Sequence, residues 1–258
     1  MRAPTEKGNG LSAGIGLLIL ATSFLTAFIS GIFGMAGGLI LMGVLAAVVP
    51  VSTAMIVHGA IQFVSNGWRA LLLKEHISWG ILGRYLIGGI PAIAVMIFIM
   101  WRPDKSAVYF MLGVMAFIPW IPKRIFALDA EQRYQAEVLG FVAQGLNTLA
   151  GVVGPVLDIF FVRTELTRQQ IVATKAATQV IAHLTKIGFW TLPVFVSADT
   201  SILPPLWLIV AAVPISMFGT WLGGRVLARM TDVSFRDWTK YLLTVIGVVY
   251  IARGLGLF

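Results

Sequence analysis

The stretch KAATQVIAHLTK, residues 175 to 186, places Lys175, Gln179, His183 and Lys186 at i, i+4, i+8 and i+11. At 3.6 residues per turn all of them share one helical face. Ammonium, amide and imidazole groups in a row are hydrogen-bond donors, suited to holding a small anion, and histidine also changes charge near neutral pH. Such a stripe is either the wet side of a surface helix or a polar seam inside an apolar bundle.

Composition decides for the seam. The chain is 58% hydrophobic and 12% charged, with a mean hydropathy of +0.90, whereas soluble domains carry about 25% charged residues. Apolar runs long enough to cross a bilayer, which takes about 20 helical residues, are expected near 11–30, 52–73, 77–100, 106–121, 169–194, 203–224 and 238–252. The first continues beyond the 7–15 apolar residues of a secretory signal, so it reads as a membrane helix. The chain has no cysteine, which excludes thiol chemistry, thiolate metal sites and disulfides. Its net charge of +8 comes from Lys and Arg grouped between spans. That pattern anchors loops and does not form a nucleic-acid surface.

Two segments fit no simple span. SGIFGMAGGLILMGVLAAVVP (30–50) gathers Gly31, Gly34, Gly37 and Gly38 and leaves too little apolar helix before Pro50 for a crossing. NTLAGVVGPVLDIFF (147–161), which begins at Asn147, repeats the feature with Gly151, Gly154 and Pro155. Both read as helices broken at membrane depth, where irregular backbone is tolerated only inside protein or along a cavity.

The two breaks lie at a constant offset of 117 positions, from Gly34 to Gly151 and from Gly37 to Gly154. Carried forward, the offset aligns HGAIQFVSNGWR (58–69) with KAATQVIAHLTK, pairing His58 with Lys175, Gln62 with Gln179, Asn66 with His183 and Arg69 with Lys186. The expected organisation is an all-α polytopic membrane protein with repeats at 1–121 and 136–258 and a charged cytoplasmic linker at 122–135. Each half is a Gly-broken or re-entrant helix followed by three spans. Arg69, Lys74 and His76 surround one loop, while the equivalent loop at 196–202 has no Lys or Arg. Positive loops stay in the cytoplasm, so the halves are expected to be inverted.

Inverted repeats with broken helices point to a secondary transporter that binds its substrate near the midplane. Helix N-termini expose unpaired N–H groups, and glycine lets a ligand approach them. The expected anion site comprises Gly34, Gly37, Gly38, His58, Gln62, Asn66, Asn147, Gly151, Gly154, Lys175, Gln179 and His183. Lys175 is its expected source of attraction, with Asp158 as a neutralising partner. Arg69, Arg84 and Lys186 are expected to snorkel to the interface.

The Gly-x-x-Gly-Gly break GMAGG (34–38), the small-residue span, the basic loop and the Gly/Pro-containing third span resemble the TauE/SafE family of sulfite and organosulfonate exporters. The resemblance extends over nearly the whole chain. It implies a permease for small sulfur oxyanions or sulfonates, working by alternating access without a cofactor, in lipid, and in the bacterial inner membrane. It carries Gly34, Gly37 and Gly38 over to the family's first glycine cluster, whereas GVVGP (151–155) departs from the usual pattern. Two other readings of the residues remain at this point. One is a haem-binding redox protein with His58 and His183 as axial ligands, and the other is a membrane scaffold.

Overall fold

The computed structural model describes residues 12–33, 36–122, 128–227, 229 and 232–257, and among them the regular elements are helical. Backbone groups in a bilayer must be satisfied within the chain, and helices do so segment by segment. In chain order the first half comprises α1 (Ala13–Phe33), α2 (Ala36–Val48), α3 (Val51–Leu72), α4 (Trp79–Ile99) and α5 (Lys105–Phe117). The second comprises α6 (Gln135–Ala150), α7 (Gly154–Phe161), α8 (Arg168–Ser197), α9 (Leu206–Leu227) and α10 (Asp232–Gly254).

Among the described residues, 4 helical segments are long and apolar enough to cross a membrane: Ala13–Ile32, Trp79–Ile99, Arg168–Ser197 and Thr200–Val226. The expected spans at α5 and α10 contribute shorter apolar helices. Although α3 has 22 residues, its apolar character is diluted by Ser52, Thr53, His58, Gln62, Ser65, Asn66 and Arg69.

Both expected breaks fall between helices, although Gly34 itself lies outside the described residues. At 1.5 Å per residue, α2 is roughly 20 Å long and α7 roughly 12 Å, short of a hydrocarbon core about 30 Å thick. Each folds back beside its predecessor: Gly37 abuts Thr26 and Ser30, and the Phe160 carbonyl accepts from the Ala130 amide at 2.8 Å. Gly151 stops α6 in the left-handed region, with φ of 84°, a conformation that costs an L-residue about 1–2 kcal/mol. Pro155 then lies in the first turn of α7, where its missing N–H breaks no helical bond. Thr167 and Gln170 form a capping box that starts α8.

The principal pairs are α1 with α9, α4 with α6, α3 with α8 and α5 with α10. Exchanging the halves converts the first pair into the second and returns each of the others to itself. The contacts also give directions. On α3 and α8, His58 and Gly59 meet Lys186 and Ile187, while Gly67 meets Val180, so these helices run antiparallel. Phe110 by Gly254 and Phe117 by Gly247 make α5 and α10 antiparallel too. Gly16 by Trp207 and Gly31 by Gly223 make α1 and α9 parallel, with the Gly31 and Gly223 backbones touching, as small residues in membrane helices permit.

Arg84 is not a snorkelling anchor. Its guanidinium donates to the carbonyls of Ala130, Glu131 and Gln132, pinning the end of the linker to α4.

Candidate functional site

The antiparallel contact of α3 and α8 brings both polar stripes to one cavity of about 160 Å³. Its wall includes Gly38, His58, Gln62, Asn66, Gly154, Lys175, Gln179 and His183 from the expected set, joined by Ser30, Ser65 and Arg69. The cavity begins among Arg69 at the end of α3 and Ile171, Val172 and Lys175 at the start of α8, and ends at Gly38, His58 and His183. Gly38 lies in the first turn of α2 and Gly154 begins α7. The positive ends of both short helices therefore meet the cavity, a favourable setting for an anion.

Bonded to His58 at the closed end of the cavity is the residue that sequence reasoning misplaced. Lys186 was expected at the interface, but its side chain is 0% exposed. Because α8 runs from Arg168 to Ser197, Lys186 lies roughly 27 Å from its start and 16 Å from its end at helical rise. Its Nζ donates to His58 Nδ1 at 2.8 Å and to the Gly151 carbonyl at 2.8 Å. His58 Nε2 then donates to the Gly38 carbonyl at 3.1 Å. The ammonium on one nitrogen fixes the imidazole proton on the other. One chain of hydrogen bonds thus runs from the first glycine break to the second.

The break itself explains where Lys186 sits. A helix end leaves carbonyls without amide partners, and α8 supplies replacements: Trp190 Nε1 donates to the Thr148 carbonyl at 2.8 Å and Lys186 to that of Gly151. The ammonium therefore lies at the negative end of α6. Among the described residues no carboxylate pairs with it, because Asp158 binds Lys175 near the mouth. That Lys175–Asp158 pair is the expected neutralisation, and it leaves Lys175 a weaker source of attraction than its charge alone suggests. The sequence did hold a signal for Lys186: it shares the stripe with Lys175 and aligns with Arg69, now a wall residue.

The other expected residues divide by what they touch. Asn66 is buried and donates to the Gln62 backbone carbonyl at 2.9 Å and to the Gln62 side-chain Oε1 at 3.5 Å. Gly37 faces α1, where a side chain would strike the Thr26 carbonyl and Ser30, and it does not line the main cavity. Gly151 contributes its carbonyl to Lys186, with Met42 and Met55 packed at its Cα. Asn147, fully buried in α6, has both amide atoms unpartnered and is not on the wall of the main cavity. Past Lys186, the bundle is closed by buried Phe189 and Trp190 under the Arg102 guanidinium, whose carbon is 5.2 Å from the Phe189 ring centre. Arg102 also donates to the Phe189 carbonyl at 3.2 Å, which Pro193 has no N–H to satisfy.

The haem reading is not supported. Both ring nitrogens of His58 are engaged, and its ring meets that of His183 at 5.6 Å between centres and 60° between planes. A macrocycle has neither a free His58 nitrogen nor room between these edges.

The class of protein comes from family comparison. The family model for sulfite exporters of the TauE/SafE type matches residues 19–250, nearly the whole chain. The chain belongs to the TauE/SafE family, a family of transporters and not of enzymes, and it is an integral membrane protein. No curated protein and no solved structure matches it.

Proposed function

We propose that the protein exports a small oxyanion of the sulfite or organosulfonate class from the bacterial cytoplasm, by alternating access around the α3–α8 cavity. The observation that carries the reading is Lys186, a fully buried lysine with no carboxylate partner among the described residues, bonded to His58 on the wall of the polar cavity. A charge inside a span costs about 2.5–3.5 kcal/mol on insertion scales and usually marks a pathway. Outward movement of an anion from a cell that is negative inside gains about 2.3 kcal/mol per charge per 100 mV, so efflux needs no coupling ion.

The antiparallel α3–α8 and α5–α10 pairs support an inverted repeat with halves at 1–121 and 136–258 and a linker at 122–135. Helices related by an axis in the membrane plane run antiparallel, whereas an axis along the membrane normal would make them parallel. Under the loop-charge scheme the cavity mouth faces the cytoplasm, because it adjoins the loop containing Lys74 and His76. The mouth residues Arg69 and Lys175 are the repeat equivalents of Lys186 and His58, the hydrogen-bonded pair at the closed end. Interchanging the conformations of the halves would close the first pair and part the second, which is an outward-open state.

The test is thermal unfolding of purified protein with sulfite, sulfate, thiosulfate, methanesulfonate or acetate, followed by efflux from proteoliposomes. A ligand that binds only the native state raises its stability. Stabilisation and efflux limited to the sulfur oxyanions support the proposal, and stabilisation by none of them refutes it.

A further inference from the structure

Resting on the anion-transport reading above, we propose that anion binding is proton-linked, with His183 taking up a proton as the anion enters the cavity.

The two cavity histidines are not equivalent. His58 has both nitrogens committed, accepting from Lys186 and donating to Gly38. A further proton on its Nδ1 would set N–H against N–H and break the link to Lys186. His183 is 2% exposed, lines the cavity, and has a buried Nδ1 with no hydrogen-bond partner. A buried polar atom without a partner is uncommon, and this one belongs to a ring that lines the cavity. Protonated His183 would offer N–H donors at both ring positions, and an oxyanion brings the missing acceptors.

The charges around His183 explain why the proton and anion should arrive together. On its own helix are Lys186, paired with His58 and Gly151, Lys175, paired with Asp158 of α7, and Arg168 at the first residue, about four turns away. The packed face of α3 adds His58, neutral in this hydrogen-bonding arrangement, and the cation Arg69. The charged residue of α4 is Arg84, committed to the carbonyls at 130–132, and Glu137 of α6 lies beside Gly88 of α4, at the far end of α6 from its break. Lys74, Glu75 and His76 form the turn beyond α3, and Asp199 follows α8 at its opposite end. An imidazolium in this cavity would thus join Lys186 with no carboxylate among the described residues paired to either. An anion supplies that compensation, and the same charge that admits the proton strengthens anion binding.

Titration calorimetry in two buffers of different ionisation enthalpy tests this in the parent protein. The probes are thiosulfate and methanesulfonate, whose own charge is fixed between about pH 6 and 8. The proposal expects a buffer-dependent heat that reports proton uptake approaching one per thiosulfate, and affinity that falls up to about tenfold per pH unit as the proton becomes scarce. His183→Gln should bind with no buffer dependence and a flat pH profile, while His58→Gln should retain proton uptake. Binding without proton uptake in the parent overturns this inference and leaves the transport reading intact. Uptake lost in His58→Gln but kept in His183→Gln overturns the assignment to His183. Absence of any binding heat, together with no thermal stabilisation, overturns both readings.

Discussion

Lys186 Nζ stands 2.8 Å from His58 Nδ1, and this single contact joins the second half of the chain to the first across the middle of the α3–α8 pair. The same ammonium holds the Gly151 carbonyl and the same ring holds that of Gly38, so both glycine breaks depend on one pair of side chains. At the second break, donors from α8 replace the amides missing at the end of α6, which lets that helix stop at membrane depth.

Lys186→Met is expected to weaken anion binding by roughly 10- to 100-fold, since hydrogen bonds to charged groups contribute about 1.5–3 kcal/mol. Lys175→Met should have a smaller effect, because Asp158 already engages that cation. Thermal-shift titrations of both variants check the order. If Lys186→Met lowers the unfolding temperature but binds anions like the parent, Lys186 only caps the end of α6.

The glycines should separate into packing and pathway positions. A side chain at Gly37 collides with the α1 backbone, so Gly37→Leu is expected to reduce the amount of assembled protein. Gly154 faces the cavity, and Gly154→Leu should leave assembly intact while abolishing efflux. Membrane levels and proteoliposome flux, measured side by side, distinguish the two. Equal losses of assembly would make both glycines packing residues.

Topology is open to direct labelling because the chain has no cysteine. Glu75→Cys should be protected from an impermeant thiol reagent in intact cells, whereas Thr200→Cys should react. Equal labelling from one side would replace the inverted repeat with a parallel duplication.

A cross-link should hold the closed end of the cavity shut. Ile187 Cγ1 lies 2.7 Å from the position of a side chain added at Gly59, so cysteines at 59 and 187 are expected to form a disulfide under oxidation. The oxidised protein should still bind the anion but turn over at under about a tenth of the parent rate, recovering on reduction. Full transport with the bridge intact would show that α3 and α8 do not part at Lys186 and His58.

Much of the fold was legible because membrane helices are governed by local rules. Length, hydropathy and the glycine–proline breaks fixed the helices to within a few residues, since every backbone bond in a span is made inside that span. The offset of 117 positions suggested a correspondence between the two glycine breaks and the two polar stripes, and helical periodicity set Lys175, Gln179 and His183 on one face. That Lys175 needed Asp158 also followed from the cost of an isolated charge.

Lys186 shows where sequence ran out. Periodicity gives a residue's angle around a helix, but its surroundings depend on which carbonyls another segment leaves unpaired and where the helices cross. The same cationic side chain snorkels if its end reaches headgroups and becomes a buried hydrogen-bond donor if it meets the broken end of α6. Gly37 diverged from Gly38 for a similar reason, since consecutive helical residues point about 100° apart, one to α1 and the other to the cavity. Sequence determined the helices, their breaks and the polar face; tertiary packing decided which lysine is buried behind the cavity, because only the meeting of α3, α6 and α8 brings Lys186, His58 and Gly151 within hydrogen-bond reach.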